Sequence, residues 1–227
     1  MPEGHTLELA ARRLQPLVGT RVSGGPLEGA IVTGVEARGK HLLVHGDDGR
    51  SLHAHLGMHG AVRLAPPGEG RGRWVMRTTA GDAVIRGRLV RVVPSRRVRL
   101  ALGPDLLHGF DEDEFLRRIR LVDRPVGEAL LDQHVAAGIG NVVKSEALWE
   151  CRLDPFAAVR EIPDDRLLAV ARTAQRMLTA GVAAGGRLPR RVYRGTGRPC
   201  PRCGGAIASA RQGEQARTTY WCPACCR

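Results

Sequence analysis

The stretch from 200 to 226 reads CPRCGGAIASARQGEQARTTYWCPACC, two C-x2-C pairs separated by 18 residues. No other feature restricts the fold as much. Thiolates at Cys200, Cys203, Cys222 and Cys225 can close a tetrahedron around one zinc ion and leave no position for a substrate, so the metal expected here is structural. A tail this short has almost no core of its own, and metal binding would supply much of its folding free energy. Cys226 lies just outside the second pair and reads as a spare, although it competes with Cys225 as fourth ligand. The clustering, in a chain expected to be cytosolic, favours metal over disulfides. Arg211 and Arg217 fall between the pairs, where a β-hairpin could present them to phosphates.

The rest of the chain changes texture twice. Residues 6–18, TLELAARRLQPLV, place Leu7, Ala10, Ala11 and Leu14 on one helical face, with Thr6 as N-cap and Pro16 and Gly19 near the end. From Thr20 to about Leu102, short alternating runs such as HLLVHG, AVRLA and WVMRTT are broken by Gly, Asp and Pro. That pattern predicts an antiparallel β-sandwich or barrel, with GDDG at 46–49 as a hairpin loop and 65–73 as a longer one. After LGPDLLHGF at 102–110 the pattern turns helical. Asp111 and Glu114 make a capping-box signature. VGEALLDQHV and NVVKSEALWE read as short helices, and PDDRLLAVARTAQRMLTAG as a longer amphipathic one stopped by Gly181.

The formal net charge of +12 and a pI near 10.7 suit a polyanionic partner, above all nucleic acid, although a ribosome or a membrane surface would fit the charge alone. Of 35 basic residues only two are lysine, Lys40 and Lys144. Abundant arginine can reflect genome composition, but arginine cannot act as an amine nucleophile or base, so the two lysines are the informative ones. No apolar run approaches the roughly 18 residues of a membrane span, and no secretory pattern opens the chain. Among the histidines, His41, His53, His55 and His59 read as polar surface residues.

Two further stretches carry chemistry. Gly138-Ile139-Gly140-Asn141 is a sharp turn before a helix; its N–H groups and the Asn141 side chain, as N-cap, could clamp a phosphate, or the turn could be a plain packing element. The chain starts MPEG. Removal of Met1 would leave Pro2 with a secondary amine at the chain end.

Taken in order, MPEG at 1–4, RGKHLL at 38–43, HLGMHG at 55–60, LGPDLL at 102–107, LLDQHVAAGIGNVVKSEAL at 130–148 and RTTYWCPAC at 217–225 resemble the formamidopyrimidine-DNA glycosylase/endonuclease VIII family, nearest its endonuclease VIII branch. The resemblance implies an α+β multidomain fold. Residues 1–108 would form an N-terminal β-sandwich with an N-terminal helix, 109–190 a helix–two-turn–helix domain, and 191–227 a zinc ribbon. It implies a bifunctional DNA glycosylase/AP lyase of base-excision repair, with one structural zinc, damaged DNA as partner, no membrane, a monomeric state and a cytoplasmic, nucleoid-associated location. Pro2 would be the nucleophile, Glu3 its acid/base, and Lys40 an aid to strand cleavage that contacts phosphate. Asn141 and Arg217 would hold the backbone around the flipped nucleotide. Met58 would enter the duplex where the base left; the plainer reading is a loop methionine packed on its own sandwich.

The chemistry has reasons to use these groups. A chain-end amine has a pKa of about 7.7–8.0, so on the order of a tenth is neutral at pH 7, far more than for an exposed lysine. A secondary amine condenses at sugar C1′ to an iminium, an electron sink for β- and then δ-elimination. Reaching C1′ requires the base to be extruded. The sequence also departs from the family. The stretch after Arg86 leaves little room for the hairpin that carries an arginine and an aromatic into the space opposite the lesion; Arg96 or Arg97 would have to substitute. Thr6 stands where many relatives have a second glutamate, the segment from Gly186 to Cys200 is abbreviated, and Lys144 has no evident role. These departures motivate the alternative of a damaged-DNA-binding protein of the same fold without base excision.

Overall fold

The computed structural model describes residues 2–98 and 100–227. Met1, whose removal the sequence reading invokes, lies outside the described residues. The chain divides into two compact units, Met1–Ala101 and Leu102–Arg227.

The first unit opens with helix α1 (Gly4–Leu14), whose face of Leu7, Ala10, Ala11 and Leu14 is buried as the spacing predicts. Its start differs from the expectation. Glu3, not Thr6, is the N-cap; Thr6 is the third helical residue and its Oγ1 accepts the Glu3 N–H at 3.4 Å. The capping box therefore exists with its two residue types exchanged. A 3₁₀ turn at Gln15–Leu17 ends the helix at Pro16.

Eight strands follow: β1 (Val22–Gly24), β2 (Val32–Arg38), β3 (His41–Gly46), β4 (Arg50–His55), β5 (Ala61–Ala65), β6 (Trp74–Thr78), β7 (Gly81–Arg86) and β8 (Leu89–Pro94). They form two four-stranded sheets, ordered β1-β6-β7-β5 and β2-β3-β4-β8, with all neighbours antiparallel. Alternating residues such as Val44, Leu52, Met76 and Ile85 join the apolar face of α1 in one core. This is a sandwich, not a closed barrel.

The second unit holds α2 (Glu112–Arg120), α3 (Val126–Ala129), α4 (Asn141–Glu150) and α5 (Asp164–Ala183), then β9 (Ala208–Gln212) and β10 (Arg217–Trp221) as a two-stranded hairpin. The Asp111 carboxylate accepts the Glu114 N–H at 2.9 Å, the expected cap. Leu167, Ala171, Ala174 and Leu178 of α5 pack with Phe115, Ile119 and Leu148 in a second core. α5 runs through Gly181 to Ala183, because a buried glycine within an otherwise apolar face costs only about 1 kcal/mol against alanine. VGEALLDQHV is helical only over its first four residues; turns at Asp132 carry the chain on. Among the described residues no helix is long and apolar enough to cross a membrane.

Candidate functional site

Pro2, Glu3, Lys40 and Met58 fall in the first unit; Asn141, Arg217 and the four cysteines fall in the second. Pro2 is half-buried at the head of α1 and Glu3 is fully buried, its carboxylate at the positive end of the helix dipole. Lys40 and Gly39 form the two-residue turn between β2 and β3, where Arg38 pairs with His41.

The strands beside that turn hold a histidine cluster that the sequence reading places at the surface. His53 is 4% exposed, and His41 Nδ1 lies 2.8 Å from His53 Nε2. The rings of His41 and His55 are 5.1 Å apart. The alternation on β3 and β4 puts these rings on one face, and register pairs His41 with His55. Burial, then His53, His55, Lys40 and Arg91, push the His41 imidazole down to about 4. Burial followed by Arg91 and His55 lowers His53, and burial followed by Lys40 and Arg88 lowers His55. The cluster is neutral at pH 7 and adds no cation to that of Lys40.

Met58 is 52% exposed on the turn from Leu56 to Gly60, which joins β4 of one sheet to β5 of the other. The turn needs both its glycines. Gly57 has a φ of +67°, and a Cβ on Gly60 would come within 2.2 Å of the Leu56 carbonyl and 2.6 Å of that of Arg86. The Arg88 N–H donates to Leu56 O at 3.3 Å, which locks this turn to the short β7–β8 connection. The expectation for Arg96 and Arg97 fails here. They lie in a 3₁₀ turn after Pro94, which pairs with Arg50, whereas Met58 follows His55 at the other end of β4. Six residues of strand, roughly 17 Å, separate the two ends. Arg88, which the sequence reading passed over, is the arginine beside the Met58 turn; the tight Gly87-Arg88 link after Arg86 was its only signal.

In the second unit, Gly140 rather than Asn141 caps α4. Asn141 is the first helical residue, and its Nδ2 donates to Thr218 O at 2.7 Å, tying α4 to β10. Arg217 opens β10, with Nε and Nη2 lying 3.3 and 3.2 Å from Gln215 Oε1. Lys144 acquires a role that the sequence did not disclose. It is 0% exposed, and its Nζ donates to Thr219 Oγ1 at 2.6 Å. Thr219 Oγ1 donates to Gln212 Oε1 at 2.7 Å, and Gln212 Nε2 to Pro155 O at 2.8 Å. Glu146, also on α4, accepts the N–H groups of Arg191, Val192 and Tyr193 at 2.9, 3.0 and 2.8 Å.

The sulfurs of Cys200, Cys203, Cys222 and Cys225 lie within 4.8 Å of one another. Cys200–Cys225 is 3.9 Å and Cys203–Cys222 is 3.5 Å. A tetrahedral ion with metal–sulfur bonds of about 2.3 Å needs edges of roughly 3.8 Å, so this donor set fits a metal ion. Burial would raise the Cys200 thiol, but the N–H groups of Arg202, of the Trp149 indole and of Cys203 outweigh it and bring it to about 6. The indole Nε1 donates to Cys200 Sγ at 3.3 Å, and the Arg202 guanidinium lies 4.3 Å over the same ring. Cys226 is outside the group, buried in a small core with Val192 and Ile207.

Comparison with known proteins agrees with this geometry. Residues 23–99 match the formamidopyrimidine-DNA glycosylase N-terminal domain and 102–191 the formamidopyrimidine-DNA glycosylase H2TH domain. A probable endonuclease 8 2 of Streptomyces coelicolor is 36% identical, covering 99% of this chain and 94% of its own. The DNA-(apurinic or apyrimidinic site) lyase Nei2 of Mycolicibacterium smegmatis is 35% identical over 99% and 98% of the two chains. Formamidopyrimidine-DNA glycosylase of Thermus thermophilus is 33% identical over 99% and 98%. In fold, the chain superimposes on Lactococcus lactis Fpg (MutM), solved with DNA containing N7-benzyl-Fapy-dG, with a TM-score of 0.86, 24% identity and 99% of each chain covered. With both domain models matched and full-length relatives above 30% identity, this chain belongs to the formamidopyrimidine-DNA glycosylase/endonuclease VIII family.

Proposed function

We propose that this member of the family is a bifunctional DNA glycosylase/AP lyase of base-excision repair that removes oxidised bases, pyrimidines favoured, through an iminium at Pro2. The observation that carries the reading is the start of α1: a half-buried imino acid, followed by a carboxylate that the fold buries completely. Burying a carboxylate is costly unless the fold gives it partners or a task. In the proposed reaction the neutral amine of Pro2 attacks C1′, the C1′–N bond to the base breaks, and the base leaves with the proton lost by the Pro2 nitrogen. Glu3 then passes a proton to the ring oxygen as the C1′–O4′ bond breaks, which opens the sugar and leaves the C1′=N iminium. The iminium then accepts the electrons of two successive eliminations, which break the strand at the 3′ and then the 5′ phosphate. Lys40, its turn fixed by the β2–β3 pairing, holds phosphate near the reacting sugar. Asn141 and Arg217, placed by α4 and β10, hold the backbone on either side. The four cysteines would hold one zinc, which contributes only structure.

Borohydride trapping on an abasic-site oligonucleotide tests this. The protein should form a covalent adduct that mass spectrometry maps to Pro2 and that Pro2→Gly abolishes. Tight binding without adduct or strand break would establish a binding protein instead. The compressed β7–β8 connection gives that alternative its motive; Glu3 would then serve only as the N-cap of α1.

A further inference from the structure

The outer face of the β1-β6-β7-β5 sheet carries a concavity of about 520 Å³, lined chiefly by Arg63, Arg71, Arg73, Val84 and Arg86; Trp74 borders it with its side chain packed against the first core. The loop at 66–73 makes one wall by folding back over the sheet, so that Gly72 lies against Val84. Arg71 is held there by the carbonyls of Gly68 and Gly70, at 2.8 and 3.0 Å, and the Arg73 guanidinium lies 5.8 Å over the Trp74 ring. Arginine is common everywhere in this chain, but its surroundings differ. In the second unit Arg117, Arg118, Arg120, Arg124, Arg172 and Arg176 are each paired with a carboxylate. Among the described residues Arg63, Arg71, Arg73 and Arg86 make no ion pair. Four uncompensated guanidiniums in one concavity are suited to successive phosphates of a nucleic-acid backbone.

The position of the concavity names the strand. The Met58 turn bridges the ends of the two sheets. On one side are His55 and Lys40: His55 pairs with His41, the residue that follows Lys40 in the β2–β3 turn. On the other, Ala61 and Arg86 pair with each other at the rim of the concavity. A wedge pushed through a base stack has one DNA strand on each flank. With the Lys40 flank given to the lesion strand, as the proposed function requires, the arginine flank meets the other. We propose that this pocket binds the backbone of the DNA strand complementary to the lesion strand, its guanidiniums on phosphates. It supplies a hold on that strand which the short β7–β8 connection has no length to provide.

The test compares two oligonucleotides carrying the same tetrahydrofuran abasic analogue, one single-stranded and one in a duplex. Arg63→Gln/Arg86→Gln should weaken duplex binding by about tenfold or more and lower the salt slope by nearly 2, at about 0.9 per phosphate contact, with single-strand affinity changed less than twofold. Arg73→Gln, on the loop wall of the same concavity, should reduce the duplex preference in the same direction. Equal weakening of both ligands, or of neither, overturns the proposal. Trapping of the parent protein on a single-stranded abasic site reports separately on the catalytic reading. Absence of an adduct would sink that reading and leave the duplex ratio to decide the pocket.

Discussion

The His41–His53–His55 cluster predicts a specific acid sensitivity of the first unit. In the unfolded chain His41 would titrate near 6.5, and in the fold near 4, because the ring is buried and faces His53 and His55 from β4, Lys40 from the turn and Arg91 from β8. The depressed value fixes the sign. Between 6.5 and 4 the unfolded chain binds a proton that the folded chain refuses, so the contribution to stability is whole above 6.5 and lost as pH falls toward 4. Between pH 7 and pH 5 the loss from His41 alone is about 2 kcal/mol. Lowered values at His53 and His55 act in the same direction. Urea unfolding of the parent and of His41→Gln at both pH values measures it, since glutamine can still bond His53 but does not titrate. The parent should lose about 2 kcal/mol more than the variant, and the His41 ring proton should titrate far below its neighbours in NMR. A His41 that titrates at 6.5 or above, or equal losses in the two proteins, would refute the argument.

Other perturbations follow from the same geometry. Glu146→Gln leaves the Arg191 N–H facing an amide nitrogen in a buried site, a cost of about 3 kcal/mol that should lower Tm by roughly 10 °C in calorimetry. Removing the metal with a chelator should break the Trp149–Cys200 contact, change tryptophan emission and lower DNA affinity by about tenfold in anisotropy titrations, with recovery on adding zinc and no emission change of that kind in Trp149→Phe. Met58→Ala should slow release of an oxidised pyrimidine from duplex DNA by about tenfold, because as the proposed wedge the exposed methionine would offset part of the unstacking cost, while strand cleavage at a single-stranded abasic site stays unchanged in gel assays.

The sequence disclosed what depends on period and punctuation. The buried faces of α1 and α5, the Asp111 cap, the GDDG hairpin and the four-cysteine group all rest on local rules, and the structure has them where those rules put them. What it withheld depends on register between strands distant in the chain. His53 looks solvated in the string LHAHLG, yet pairing with β3 and β8 buries it. Arg96 and Arg97 stand close after Arg86 in sequence, but β8 carries them to the far end of β4 from Met58. Trp74 is remote from the compressed stretch along the chain, yet register sets it opposite Ile85, one residue from Arg86.

Helix α4 shows why residue polarity misleads at a site. Asn141, Lys144, Ser145 and Glu146 are polar, and every one of them is buried. A helix enclosed on all sides has no amphipathic pattern for the sequence to display, and three of these four side chains bond another segment. Asn141 reaches β10, Lys144 reaches β10 and, through Thr219, β9, and Glu146 holds the chain leading into the cysteine hairpin. At its C-terminal end Trp149 touches a sulfur of the four-cysteine group. One helix thus fixes both proposed phosphate-holding residues of this unit and the cysteine knuckle. The scarcity of lysine acquires a physical reason at position 144. A compact ammonium on a flexible stem bonds Thr219 inside a closed helix face, whereas a guanidinium would bring five N–H donors in a fixed planar fork, each needing an acceptor there.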